Sequence, residues 1–184
     1  VDTGSADRSR QIALDLGARL HDVRSTDDIA TARNWALELA CGRWILYIDA
    51  DERLRPGQPA EVRRQLEDRG VVGYQVRLHP RPGHSAYWEL RLFLNDPLIR
   101  FRGVIHETIW PGLHAYRAAH GGTIARSELV LDHVGYEGNQ HAKHRRNLAL
   151  LRRALRSDPD RVYNWCHLAD IYAALGKGHL AERA

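Results

Sequence analysis

The chain has 184 residues, 43% of them hydrophobic and 27% charged, enough for one sizeable core and a small annex; disorder and a miniprotein are excluded. Its 27 Lys+Arg against 23 Asp+Glu give a formal charge of +4, spread along the chain rather than gathered in a stripe, so nucleic acid is not an expected partner. No apolar run approaches the roughly 20 residues that cross a bilayer, and Cys41 and Cys166 form no C-x-x-C pair, which together predict a soluble chain in a reducing compartment.

The chain contains no methionine and opens at Val1-Asp2 in what reads as the end of a strand, which predicts a fragment. A helix is expected from about Ser9 to Leu16, capped by Ser5 or Asp7 and closed by Gly17. Arg19 to Val23 reads as a short strand. Asp27 and Asp28 then precede an amphipathic run in which Ile29, Ala32, Ala36, Leu37 and Ala40 share a face before Gly42. Trp44-Ile45-Leu46-Tyr47-Ile48 is apolar without alternation, the pattern of a parallel strand covered on both faces, and it runs straight into Asp49-Ala50-Asp51-Glu52. Pro59 at a first helical turn begins a helix to about Asp68. Helix and strand alternate this far, which predicts a layered α/β sheet.

From Val71 the rhythm changes. Val72 to Leu78 and Tyr87 to Leu94 read as paired strands around a turn at Pro80 to Gly83, with further strand-like pieces at Ile99 to Phe101 and Thr123 to Leu131. Pro111 to His120 reads as a loop. The second half of the sheet is therefore expected to be mixed or antiparallel. After Gly138 the period returns to 3.6: Leu148, Leu151 and Leu155 lie on one helix, Asp158-Pro159 breaks it, and a second helix runs from about Asp160 to Leu175 before Gly176. Leu168, Ala169, Tyr172, Ala173 and Gly176 have the spacing of a helix-turn-helix repeat. A boundary near residue 138 separates 1–138 from 139–184.

Among the candidate functional residues, Asp49-x-Asp51 stands out by position rather than pattern. With 23 acidic residues in 184, about three such triplets arise by chance. This one ends the most buried-looking strand, where open α/β sheets bind their ligands. Two carboxylates there can hold a hard divalent cation, which neutralises a departing diphosphate. The plainer alternative is a solvated loop with helix-capping aspartates. His141 and His144, at i and i+3, lack an evident third ligand and share their segment with Lys143, Arg145 and Arg146, so a cationic or solvated helix face is the simpler reading. Trp88 and Trp110 are core or groove residues, or platforms on which a sugar stacks.

Several short segments occur together in a telling order: Val1-Asp2-Thr3-Gly4-Ser5-Ala6-Asp7, Ala32-Arg33-Asn34-x-Ala36, Trp44 through Glu52, Arg91-Leu92-Phe93, and Gly103-Val104-Ile105-His106-Glu107. Over about residues 1 to 150 this resembles the family-2 glycosyltransferases of GT-A fold. The last helices resemble the tetratricopeptide repeats that follow the catalytic domain in one bacterial branch of that family. The resemblance implies an α/β, GT-A-like mixed sheet flanked by helices, here without its first strand and helix, followed by a helical tetratricopeptide-like segment. It also implies metal-dependent transfer of a sugar, with inversion, from a nucleotide-diphosphate donor to a saccharide, lipid-linked or protein acceptor. Mn²⁺ or Mg²⁺ is the implied cofactor, and the implied location is cytoplasmic or peripheral at the inner face of the membrane.

By the same resemblance Asp2 faces the nucleotide base, Asp7 caps a helix or meets the ribose, Arg33 lies near the nucleotide, and Asp49 serves donor and metal. Asp51 and His133 serve the metal. Glu107 is the general base that takes the acceptor hydroxyl's proton, while His106 ligates the metal or orients the acceptor. The residues themselves leave plainer roles open: a turn aspartate for Asp2, a helix-surface cation for Arg33, a structural amide for Asn34, and a buried hydrogen-bonded histidine for His106. Ser5-Ala6-Asp7 departs from the family's commoner Ser-Thr-Asp and so loses that threonine hydroxyl. A second class of reading is a truncated or inactive transferase-like binding module whose helices recruit a protein. An aspartyl phosphatase would place its Asp-x-Asp early and follow it soon with Thr or Val, whereas Glu52-Arg53 follow here.

Overall fold

A computed structural model describes residues 1–23, 28–55, 57, 59–80, 84–134 and 140–183, and of 140–143 the backbone alone. Asp27, most of the turn around Pro80 to Gly83, Gly138 and the side chains of His141 and Lys143 lie outside the described residues. In chain order the elements are α1 (Ser9–Asp15), α2 (Ile29–Leu39), β1 (Trp44–Leu46), β2 (Glu52–Leu54), α3 (Pro59–Glu67), β3 (Val71–His79), β4 (Tyr87–Leu94), α4 (Trp110–His120), β5 (Thr123–His133), α5 (Gln140–Ser157), α6 (Val162–Ala174) and α7 (Gly178–Ala181). They form two compact units: Val1–Leu39 with Phe101–Thr108 and Asn139–Ala184, and Ala40–Arg100 with Ile109–Gly138.

The second unit is a five-stranded mixed sheet in the order β1-β4-β3-β5-β2. β3 pairs antiparallel with β4 and parallel with β5, while β1 and β2 pair antiparallel with β4 and β5. On one face Val71, Tyr74, Val76, Leu92, Leu129 and Leu131 are buried, with Val62 and Leu66 of α3 packed against them. The indole of Trp44 donates to the Leu66 carbonyl at 3.1 Å, and the Tyr74 hydroxyl donates to that of Gln65. These bonds satisfy carbonyls that the last turn of α3 leaves without intrahelical partners. Neighbouring positions on a strand face opposite ways, and a β-carbon at Gly73 would lie 3.5 Å from Leu113 of α4. The two helices therefore cover opposite faces of the sheet.

α4 replaces the expected loop. Pro111 sits at its first turn, where a missing N–H costs nothing, and Gly112 lets the helix approach the 98–100 backbone. A β-carbon at Gly112 would stand 2.6 Å from the Leu98 carbonyl oxygen and 2.7 Å from the Arg100 nitrogen. Backbone cannot swing aside as a flexible side chain can. Gly112→Ala is expected to lower stability by roughly 3 kcal/mol, the upper end for overpacking, which denaturant titration measures as a lower midpoint.

Three strand expectations are corrected here. Trp44 to Ile48 is not a parallel strand buried on both faces: β1 is three half-buried residues at an edge of the described sheet, antiparallel to β4. Its unbroken apolar run has two uses instead, since Trp44 and Leu46 pack on the buried face while the Tyr47 ring stands 6.1 Å from that of Phe93. Ile99 to Phe101 forms no strand; Ile99 and Phe101 are buried residues of an irregular segment. Arg19 to Val23 is likewise no regular strand; among the described residues it makes the parallel bridge Asp2↔Asp22.

In the first unit, the Asp7 carboxylate accepts the Ser9 amide at 2.9 Å and opens α1, which Gly17 closes with φ +79°. Asp28 accepts the Thr31 amide at 3.1 Å at the start of α2. The inner face of α2 differs from the apolar stripe expected: its buried residues are Ala30 and Leu37. Asn34, on the same face, pairs its amide with both backbone groups of Phe101, at 3.0 and 2.8 Å. α5 and α6 pack through Leu150, Leu151, Ala154 and Leu155 against Leu168, Ile171 and Tyr172, with Ile105 buried in the same cluster. Gly176, φ +72°, ends α6 while the Lys177 amide returns to the Tyr172 carbonyl at 2.8 Å. No described helix is long and apolar enough to cross a membrane.

Candidate active site

The acidic turn lies in the sheet unit, between β1 and β2. Glu52 closes it in both directions: its amide donates to the Asp49 carbonyl at 2.9 Å, and its carboxylate accepts the Asp49 amide at 2.8 Å. The other oxygen of that carboxylate meets Arg91 of β4 at 2.7 Å. Arg91 also reaches Asp49 at 3.3 Å and Glu89 at 3.0 Å, and its guanidinium sits 4.5 Å from the centre of the Tyr47 ring. Glu52 and Arg91 side chains are 1% and 6% exposed, whereas Asp49 and Asp51 are 35% and 42% exposed. A buried ion pair thus presents two outward carboxylates. Burial opposes the charge on Arg91, yet Tyr47, Glu89, Glu52 and Asp49 hold it a firmer cation than usual. Burial pushes the Glu52 carboxyl up, against the pull of the Asp49 amide and Arg91.

The far end of β5 completes this turn. The Val134 amide donates to the Asp51 carbonyl at 2.8 Å, and His133 Nε2 lies 3.3 Å from the Asp51 carboxylate. The structure thus brings together Asp51 and His133, two of the three expected metal ligands, with Asp49 anchored beside them by Arg91. Among the described residues, no three His, Cys, Asp or Glu side chains are grouped to hold a metal ion. A carboxylate and an imidazole nevertheless suit Mn²⁺, and a cation that takes its remaining ligands from diphosphate and water needs no more from the protein. The donor set fits a cation held jointly with a substrate.

The remaining candidates lie in the first unit. Asp2 folds the chain back on itself, accepting the Gly4 amide at 3.2 Å, the Ser5 amide at 3.1 Å, the Ser5 hydroxyl, and Arg10 at 2.7 Å; Arg10 in turn pairs with Asp22. The Ser5 hydroxyl and Arg10 hold the Asp2 carboxyl well below the usual carboxylate range. Asp7 is the cap of α1, and its donation from Ser9 lowers its pKa as well. Arg33 of α2 is neither a solvated cation nor isolated: its Nε lies 2.5 Å from Glu107 Oε1, and its guanidinium is 5.4 Å from the centre of the Phe101 ring. Asn34 uses both ends of its amide on the Phe101 backbone.

Glu107, 11% exposed at its side chain, ends a loop closed by two 2.9 Å backbone bonds between Arg102 and Thr108. His106 precedes it with φ +52°. Its ring lies against Tyr163 and His167 of α6, with centroids 5.0 and 4.3 Å away. Burial, then His167 and Arg161, press its pKa from 6.5 down to about 4. The unfolded chain therefore binds the extra proton first as pH falls, so this stabilisation is complete above about 6.5 and is lost towards pH 4. Unfolding titrations at pH 7 and pH 4.5 should show a larger acid loss in the native chain than in His106→Asn, which also tolerates positive φ.

Sequence reasoning gave Glu52 and Arg91 no role. Arg91 stood only in the segment Arg91-Leu92-Phe93; the usable signal was a cation between apolar residues in β4, two positions from Glu89. Trp88 lies under Arg126, 4.8 Å from its ring centre to the guanidinium, and Trp110 neighbours His114, at 5.5 Å between rings. The metal hypothesis raised for His141 and His144 falls on a His141 side chain that lies outside the described residues.

The sequence model of glycosyl transferase family 2 matches residues 1–122. The chain belongs to glycosyltransferase family 2. A TPR repeat-containing protein of Synechococcus elongatus, Synpcc7942_0270, is 33% identical over 191 residues, covering 100% of this chain and 47% of that protein. The SPbeta prophage-derived glycosyltransferase SunS of Bacillus subtilis is 31% identical over 144 residues, covering 73% of this chain and 32% of its own length. The crystal structure of S. aureus TarS 1–349 in complex with UDP-GlcNAc superposes with a TM-score of 0.55 at 12% identity, over 92% of this chain and 60% of that one. This family-2 chain thus has the GT-A-like mixed α/β fold, and it spans about half or less of the length of the curated relatives it matches.

Proposed function

We propose that the chain carries the catalytic part of a metal-dependent, inverting glycosyltransferase that uses a nucleotide-diphospho-sugar. The observation that carries this reading is the acidic turn, in which the buried Glu52–Arg91 pair holds Asp49 and Asp51 outward with His133 beside Asp51. TarS, whose fold this chain shares, is described with UDP-GlcNAc bound, which supports the same donor class here. Asp49, Asp51 and His133 would hold Mn²⁺ or Mg²⁺, which when bound supplies the Lewis acid that neutralises a departing diphosphate. Glu107 takes the proton of an acceptor hydroxyl as that oxygen attacks the anomeric carbon on the side away from the diphosphate, and attack from that side inverts the sugar. Arg33 holds the Glu107 carboxylate in place. Asp2 faces the base only by sharing a carboxylate that already ties the opening turn, and Asp7 contacts the ribose only from its place at the cap of α1.

In this reading residues 1–138 are catalytic and 139–184 are a tetratricopeptide-like segment. The acceptor is a saccharide, a lipid-linked group or a protein, with a further protein partner on the helices. The site of action is cytoplasmic or at the inner face of the membrane. Calorimetry of the full-length protein with a panel of nucleoside diphosphates tests the turn. Binding should require Mn²⁺ or Mg²⁺ and weaken about tenfold or more in Asp51→Ala. Metal-independent affinity that survives in Asp51→Ala overturns the reading.

A further inference from the structure

The loop that carries Glu107 is built on the C-terminal helices. Its middle residue, Ile105, is 3% exposed and buried in the cluster formed by Leu150, Leu151 and Leu155 of α5 with Leu168 and Ile171 of α6. The next residue, His106, has φ +52°, a backbone state that crowds a β-carbon and persists only where the surroundings enforce it. What enforces it comes from the start of α6. Arg161 Nη2 donates to the His106 carbonyl at 2.7 Å, a charge-assisted bond, and the imidazole lies against Tyr163 and His167. The other terminal nitrogen of Arg161 crosses the front of the loop: a β-carbon at Gly103, φ +110°, would lie 3.1 Å from it and 3.5 Å from the Glu107 Cα. One guanidinium therefore spans the loop from its first residue to its fourth.

The direction of the Glu107 side chain follows from the two peptide planes that flank it, and the plane on its amino side contains the carbonyl that Arg161 holds. Arg33 fixes the carboxylate end. Removing either constraint lets a carboxylate swing, and an ångström of misplacement is costly in a proton transfer.

We propose that Arg161, backed by Tyr163 and His167, is a positioning residue for the transfer, so that the α5–α6 pair acts as a scaffold of the catalytic loop. The proposal rests on the reading of Glu107 as the base. It assigns distinct parts to two residues of the same contact: Ile105 secures the loop's stability, and Arg161 sets its conformation.

The test uses the full-length protein with UDP-GlcNAc and Mn²⁺ as the probe, reading hydrogen–deuterium exchange of residues 101–109 and the kcat and KM of UDP release. In Arg161→Ala, exchange in the loop should rise about tenfold or more while that of α5 and α6 stays unchanged. The kcat should fall about ten- to a hundredfold with KM for UDP-GlcNAc near its native value, and Arg161→Lys should restore part of it. Unchanged loop exchange, or a loss confined to KM, overturns the proposal. Should Arg161→Ala not fold, Arg161→Gln reads the same exchange and the same kcat. Glu107→Gln separates the two ideas. Native turnover in that variant refutes the base, whereas a dead Glu107→Gln beside an Arg161→Ala loop of native exchange refutes the clamp alone.

Discussion

Glu107→Gln is expected to slow glycosyl transfer by roughly 10²–10⁴-fold while leaving donor and metal binding near native levels. Glutamine keeps the size of the side chain and an oxygen for Arg33, which lies 2.5 Å from the native carboxylate, so the loop closed by Arg102 and Thr108 should stay folded. What it loses is the capacity to accept a proton, which the proposed role of Glu107 requires. Steady-state kinetics together with calorimetry on the same variant read both halves. Native turnover in Glu107→Gln, with His106→Ala or His133→Ala inactive, would move the base to a histidine. Loss of donor binding would instead make Glu107 a structural residue.

The largest stability effect is expected at Arg91. Arg91→Met leaves Glu52, with a side chain 1% exposed, facing Asp49 and Glu89 without the cation that reconciles them. Breaking a buried pair from one side costs about 3–5 kcal/mol. The loss should be greatest near neutral pH. Burial already raises the Glu52 pKa, so acidification protonates the stranded carboxyl and relieves it. Arg91→Met with Glu52→Leu should regain most of the stability, since two apolar side chains can fill the space of a buried pair. It should not regain metal-dependent nucleotide binding, because Asp49 has lost both the carboxylate that ties its amide and the guanidinium beside it. Denaturant titration and calorimetry on the two variants separate these effects; a double variant that binds like the native chain would mean that the pair serves folding alone.

Local chemistry made part of this architecture legible. Asp7, Gly17 and Gly176 marked helix ends because caps and positive φ depend on neighbouring residues alone. Val72 to Leu78 and Tyr87 to Leu94 announced a pair of strands through β-rich composition around a turn. Strand direction was not legible at Trp44 to Ile48, since an apolar run results equally from burial on both faces and from two different neighbours on an edge. α4 was hidden by its own Pro111-Gly112. That dipeptide suggests a turn until the 98–100 backbone is seen passing where a β-carbon would stand. β2 was masked by an acidic run that drew attention to metal chemistry. The inner face of α2 was obscured because it carries the half-buried Asn34, whose value lies in pairing with Phe101, a residue far along the chain. The same limit applies to the candidate site. The family pattern picked out Asp49, Asp51 and Glu107, but Arg91, Glu52 and Arg161 act through partners that only the fold brings near.

The proposed function requires this family-2 chain to release a nucleoside diphosphate from a nucleotide-sugar through its acidic turn. The most direct measurement is that release, followed for the full-length protein across a panel of nucleotide-diphospho-sugars with Mn²⁺. Release from at least one donor is predicted, abolished by chelation of the metal and reduced by roughly 10²-fold or more in Glu107→Gln and similarly suppressed in Asp51→Ala. Cleavage of no donor, or equal cleavage by Asp51→Ala with the metal removed, would contradict it.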